Sequence, residues 1–190
     1  MLRSPVVGIL LAAGSATRFG SAKLMASLKD GVPMGVAALK NLIVAVDSVV
    51  AVVRPGDAEL SELLTSHGAR VTACPCAAQG MGESLAWGVR AAPAAAGWVI
   101  SLADMPWIAS STAARVADAL RDGRDLVAPA YGGQRGHPVG ISTRFYGEIS
   151  ALSGDEGAKS VLSAYASSMQ LIALNDPGVV RDVDTPGDLG

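Results

Sequence analysis

The sequence predicts a three-layer α/β/α architecture, with helices covering both faces of a mostly parallel, Rossmann-like sheet. Short apolar runs rich in Val, Ile and Leu recur along the chain, the near-continuous kind of strand that is buried on both faces. Stretches of helix-forming composition lie between them, the rhythm of successive strand-helix units. A chain of 190 residues with 50% hydrophobic content is long enough for one core, so residues 1–190 are read as a single domain.

The first strand is expected over Val6–Ala12, then a glycine-bearing loop and a helix over Val36–Ile43. A strand at Ser48–Val53 and a helix at Asp57–Ser66 come next, then a strand at Ala69–Cys74 and a helix at Gly82–Ala92. Trp98–Leu102 reads as a further buried strand that Pro106 keeps from continuing, and Ser110–Arg121 as the helix after it. Strands at Leu126–Pro129 and Pro138–Ser142, helices at Thr143–Leu152 and Ala158–Tyr165, and a last strand at Met169–Leu174 complete the series. Several helices begin at an Asp, Ser or Thr of the kind that caps free N–H groups.

Charge narrows the partners. With 15 Lys and Arg against 17 Asp and Glu, the chain has no broad basic face for nucleic acid or an anionic membrane. No apolar run approaches the ~20 residues of a bilayer span, and the segment before Val6 is too short for a signal peptide, so a cytoplasmic protein is expected. Cys74 and Cys76 flank Pro75 without a third Cys or a nearby His, which reads as a reduced structural pair.

The loop after the first strand runs Leu11, Ala12, Ala13, Gly14, Ser15, Ala16, Thr17, Arg18, Phe19, Gly20, Ser21, Ala22, Lys23. Two glycines let the backbone bring its N–H groups close to phosphate oxygens, and Arg18 and Lys23 add positive charge. The spacing fits neither the Walker pattern nor G-x-G-x-x-G. An ordinary strand-to-helix turn with solvated cations fits the same residues.

Three further groups come directly after strands, where open α/β sheets collect their ligands. Asp104, in Ala103-Asp104-Met105-Pro106, is the best-placed metal ligand; it also fits as a helix cap. Gly80, Met81, Gly82 and Ser84 open a helix where free N–H groups and a hydroxyl can meet a ligand, or serve capping alone. Asp182 and Asp184 stand two apart, on one face of an extended segment; Thr185-Pro186 also reads as a plain helix start.

The loop resembles the signature L-A-[AG]-G-x-x-x-R-[FM]-G-x-x-K of the nucleotide-diphospho-sugar transferase type of nucleotidyltransferase, and within it the MobA-like NTP transferases. The A-D-M-P, G-M-x-x-S-L, R-G-H-P-V, G-D-x-G-A-[RK] and D-V-D-T-P-x-D-L segments resemble that family's other motifs. The resemblance implies a nucleotide held by Leu11, Ala12, Ala13, Gly14, Gly80, Met81, Gly82 and Ser84, with Arg18, Lys23 and Asp104 catalytic. It implies Mg²⁺ at Asp104 with Asp182 or Asp184, and an acceptor of molybdopterin type at Arg135, His137 and Asp155.

On the residues alone His137 is equally a satisfied turn histidine, and Asp155 a helix cap. Ala13 in place of a second glycine, with Phe19-Gly20 and no Asp before Lys23, favours CTP over GTP by the same resemblance. Met25–Ala45 departs from the family pattern and leaves the acceptor open. A sister enzyme acting on a sugar or polyol phosphate, and a non-catalytic carrier delivering molybdenum cofactor to a molybdoenzyme partner, are the alternatives.

Overall fold

Alternate residues of the central strands go to opposite faces of one sheet, as a period-two chain requires. In the computed structural model, which describes residues 4–14 and 23–189, β1 (Val6–Leu11) sends Val7 and Ile9 to one core and Val6 and Leu10 to the other. β2 (Ser48–Val53) divides Val50 and Val52 from Val49, Ala51 and Val53 in the same way.

The sheet continues with β3 (Arg70–Ala73), β4 (Gly97–Leu102), β5 (Leu126–Tyr131), β6 (Gln134–Arg135), β7 (Val139–Ser142) and β8 (Met169–Ala173). Its order is β3-β2-β1-β4-β7-β5-β6, with β8 on β5. The pairs β1–β2, β1–β4, β2–β3 and β5–β8 are parallel. β7 enters antiparallel between β4 and β5, and β6 turns back on β5 through Gly132 and Gly133 at φ 56° and 82°, a two-residue turn open to glycine.

Six helices cover the two faces among the described residues: α1 (Met34–Ile43), α2 (Ala58–Ser66), α3 (Met81–Arg90), α4 (Ser110–Arg121), α5 (Tyr146–Ser150) and α6 (Lys159–Ala164). Leu39, Leu42, Leu60, Leu64, Val116 and Leu120 bring α1, α2 and α4 onto one face. Leu85, Val89, Ile149, Val161 and Leu162 bring α3, α5 and α6 onto the other. Trp98 is wholly buried in that second layer and its indole N–H donates to the Ala92 carbonyl at 3.1 Å.

Two local expectations are corrected. The helix expected over Thr143–Leu152 is a 3-10 turn, Thr143–Phe145, leading into the five residues of α5. Ser142 Oγ accepts from the Arg144 N–H and caps the start of that turn. The expected side-chain caps are absent from all six described helices. α4 is served from a distance instead: buried Asp176 accepts from the Ala109 N–H at 3.0 Å and the Thr112 hydroxyl at 2.6 Å. No described helix is long and apolar enough to cross a membrane.

Candidate active site

β1 and β4 end level, with Leu11 opposite Leu102. The Ala103 N–H donates to the Leu11 carbonyl at 3.0 Å, and the Ala12 N–H to the Val52 carbonyl at 2.8 Å. The Ala12–Gly14 stretch and the Asp104 turn therefore leave the sheet side by side. They do so where the strand order reverses, since β2 and β3 lie on one side of β1 and β4 on the other. Ligands of open α/β sheets bind at such a switch point.

Lys23, in a 3-10 turn over Lys23–Met25, crosses this gap. Its Nζ lies 2.9 Å from Asp104 Oδ2, with the two side chains 12% and 31% exposed. The site so made holds one cation and one carboxylate in contact, half shielded from water. Arg18 lies outside the described residues.

The cleft that opens from this pair has a volume of about 910 Å³. Leu11, Ala12, Ala13, Gly14, Lys23, Leu102 and Asp104 form one wall, and Ala77, Ala78, Gly80, Met81 and Ser84 the other. Gly80 takes φ +137°, and a Cβ there would collide with the Gly154 carbonyl. Gly82 does not line the cleft; its N–H donates to the Gly154 carbonyl at 2.7 Å and holds the loop carrying Asp155 against the start of α3. Asp155 consequently lines the same cleft as Gly80 and Met81.

Asp182 and Asp184 do not line the cleft, but reach its Asp104 end by the backbone. The Val183 N–H donates to the Asp104 carbonyl at 2.9 Å, with Val183 fully buried and both aspartates exposed. Thr185-Pro186 starts a single 3-10 turn, Pro186–Leu189, rather than an α-helix. Asp188 closes it by accepting from the Asp184 and Thr185 N–H groups and the Thr185 hydroxyl, and the Thr185 bonds above all hold its carboxyl below the usual range.

Arg135 and His137 do not line the cleft. The His137 N–H donates to the Val179 carbonyl at 2.8 Å, and the bond to Pro138 is cis. Its side-chain Nδ1 is buried with no hydrogen-bond partner among the described residues. Burial first, then the Arg135 charge, pushes the imidazole below its ordinary value, opposed by the Ile100 backbone and by Asp104 and Asp182. His137 is therefore held neutral at pH 7.

Arg54 joins the site without any motif to announce it. It is the first residue beyond β2, lines the cleft, and its Nε donates to the Ala13 carbonyl at 2.8 Å. The one signal in the sequence is positional: a lone cation directly after a central strand. Leu24 and Met25 also line the cleft.

Among the described residues no group of three or more His, Cys, Asp and Glu is arranged to hold a metal. Asp104, beside the Asp182–Asp184 segment, instead suits a hard cation taking one or two carboxylates and completing its shell with substrate phosphates. The residues present fit that kind of ion.

A doubly covered α/β sheet whose switch point carries a lysine-carboxylate pair over a cleft of about 910 Å³ suits an enzyme that handles a phosphate-bearing nucleotide. The model of the MobA-like NTP transferase domain matches residues 8–169, and the chain belongs to that family. It is 32% identical to the purine catabolism protein PucB of Bacillus subtilis over 97% of this chain and 95% of that protein. Rv0371c of Mycobacterium tuberculosis, in a complex with manganese, is 25% identical with a TM-score of 0.79, covering 97% of this chain and 96% of its own. A nucleotidyl transferase of Methanothermobacter thermautotroptrophicus shares the fold with a TM-score of 0.81 at 19% identity, over 97% of this chain and 94% of its own.

Proposed function

We propose that the protein transfers a cytidylyl group from CTP to the terminal phosphate of a molybdopterin-type acceptor, with Mg²⁺, releasing pyrophosphate. The observation that carries this reading is the Lys23–Asp104 pair at the shared end of β1 and β4, with the Asp182–Asp184 segment bonded to the Asp104 turn. The manganese complex of Rv0371c supports a divalent cation. Mg²⁺ would be held by Asp104 with Asp182 or Asp184 and would supply neutralising charge on the phosphates.

On this reading the cleft holds the nucleotide, its base between Ala13 and the Gly80–Ser84 turn and its triphosphate along Ala12–Gly14. Lys23 exchanges Asp104 for phosphate oxygen and holds the α-phosphorus in line with the acceptor, aided by Arg18. The acceptor enters from the Arg135 and His137 side, so that Asp104 stands between the two substrates. Arg135 pairs with the acceptor phosphate as a permanent charge, and His137 offers a neutral nitrogen. Asp155, on the cleft wall beside Gly80 and Met81, meets the part of the acceptor that reaches into the cleft.

The acceptor oxygen forms a bond to the α-phosphorus as the bond to the β-phosphate bridging oxygen breaks, and that electron pair leaves with pyrophosphate. The attacking phosphate is already anionic, so no general base is required. The chain contributes alignment and charge.

Ala13, 3% exposed and with its carbonyl engaged by Arg54, supports CTP over a purine nucleotide. The test is pyrophosphate release from CTP and, separately, GTP, with Mg²⁺ and molybdenum cofactor, for the protein and Asp104→Ala. CTP-dependent release lost in the variant supports the reading; release with GTP alone, or with a sugar phosphate alone, replaces it.

A further inference from the structure

We infer that Arg54 selects the nucleobase, admitting a base that presents two adjacent hydrogen-bond acceptors and rejecting one that places a donor beside an acceptor. The inference rests on the nucleotidyltransferase reading of the cleft and adds a specificity residue to it. β2 lies between β1 and β3, so a side chain at its carboxyl end emerges between the segments that leave those two strands. One segment is Ala12–Gly14 and the other contains Ala77–Met81, and they supply the two walls of the cleft.

The guanidinium has a fixed plane and five donors with no acceptor. One donor, on Nε, is spent on the Ala13 carbonyl at 2.8 Å, which anchors that plane to the wall where the base is expected. The terminal nitrogens have no hydrogen-bond or carboxylate partner among the described residues, although the side chain is half-buried and lines the cleft. A half-shielded charged fork with idle donors asks for acceptors.

Cytosine offers O2 beside N3, and guanine O6 beside N7. Uracil sets an N–H at position 3 and adenine an amino group at position 6 against the fork, where a donor would face a donor. A well-formed two-bond contact of this kind separates right from wrong bases by about tenfold to a hundredfold. Arginine is therefore expected to separate CTP from UTP, and GTP from ATP, where an apolar wall would separate them weakly.

The experiment is titration calorimetry of the full chain with CTP, UTP, GTP and ATP in the presence of Mg²⁺, for the protein, Arg54→Met and Arg54→Lys. The expected result is CTP bound at least tenfold more tightly than UTP, a ratio that falls to within threefold in Arg54→Met with the melting temperature little changed. Arg54→Lys keeps the charge and loses the fork, so it is expected to bind nucleotide while losing most of the ratio. An unchanged ratio in both variants overturns the inference. So does an equal weakening of all four nucleotides, which would make Arg54 only a prop for Ala13. Failure of the unsubstituted protein to bind any nucleotide overturns the nucleotidyltransferase reading as well, and is thereby told apart from failure of the selection alone.

Discussion

Replacing Lys23 with Met removes a charge while keeping most of the aliphatic stem, and its effects on stability, turnover and metal binding differ in sign. Lys23 Nζ and Asp104 Oδ2 are 2.9 Å apart with 12% and 31% exposure, between the surface and buried limits for ion pairs. Exposed pairs contribute about 0–1 kcal/mol, and breaking a buried one costs about 3–5 kcal/mol. The loss here is placed at about 1–2 kcal/mol, with Asp104 still partly hydrated. For a chain of this length each kcal/mol moves Tm by about 2–4 °C, so a drop of about 2–8 °C is expected by calorimetry. Turnover falls further, because a positioned charge on the transferring phosphate is worth about a hundredfold to a thousandfold. Metal binding moves the other way: Asp104 loses its competing cation, so Mn²⁺ titrated into nucleotide-free Lys23→Met binds more tightly than to the parent. The assays are scanning calorimetry, pyrophosphate release with CTP and molybdenum cofactor, and Mn²⁺ calorimetry. Turnover within twofold of the parent, or weaker Mn²⁺ binding in a folded variant, would refute the reasoning.

Gly82→Ala places a Cβ 2.7 Å from the Ser153 carbonyl, a backbone atom that cannot swing aside, so the Gly154–Asp155 loop shifts and CTP affinity drops at least tenfold by calorimetry. Asp176→Ala strips Ala109, Thr112 and Gly178 of their shared acceptor in a buried place, a loss of about 3–5 kcal/mol that lowers Tm by roughly 10 °C. His137 titrates below its ordinary 6.5 when folded, so the unfolded chain binds more protons just under that pH and stability falls as the solution is acidified through this window. In urea titrations at about pH 7.5 and 5.5, on either side of the unfolded histidine's midpoint, His137→Gln is expected to lose less stability between the two than the parent.

The strands are legible because burial on both faces leaves a local trace: Val49 through Val53 are apolar without a break. The starts of the helices are less so, since the acceptor serving α4 is Asp176, more than sixty residues away, and no local pattern announces it. Motifs directly after strands bring Lys23, Asp104, Gly80, Met81 and Ser84 around one cleft, because the parallel register of β1 with β4 brings strand ends level. Arg54 is hidden in the sequence because its contact, a carbonyl 41 residues back in the chain, is a tertiary event. Asp155 is expected at the acceptor and lines the same cleft as Gly80 and Met81, because the Gly82 N–H ties its loop to α3.

The hydrogen bond from Val183 to the Asp104 carbonyl also sets an order of events during synthesis. The ribosome delivers the chain from its amino end, so every residue of β1 through β4 is made before the final stretch. Asp182 and Asp184 join Asp104 only when Val183 has emerged and found its buried seat. The residues of the cleft walls are therefore synthesised before the full set of carboxylates. Residues 177–190 carry two of the three acidic groups at the Asp104 end, together with the buried side chains of Val179 and Val183.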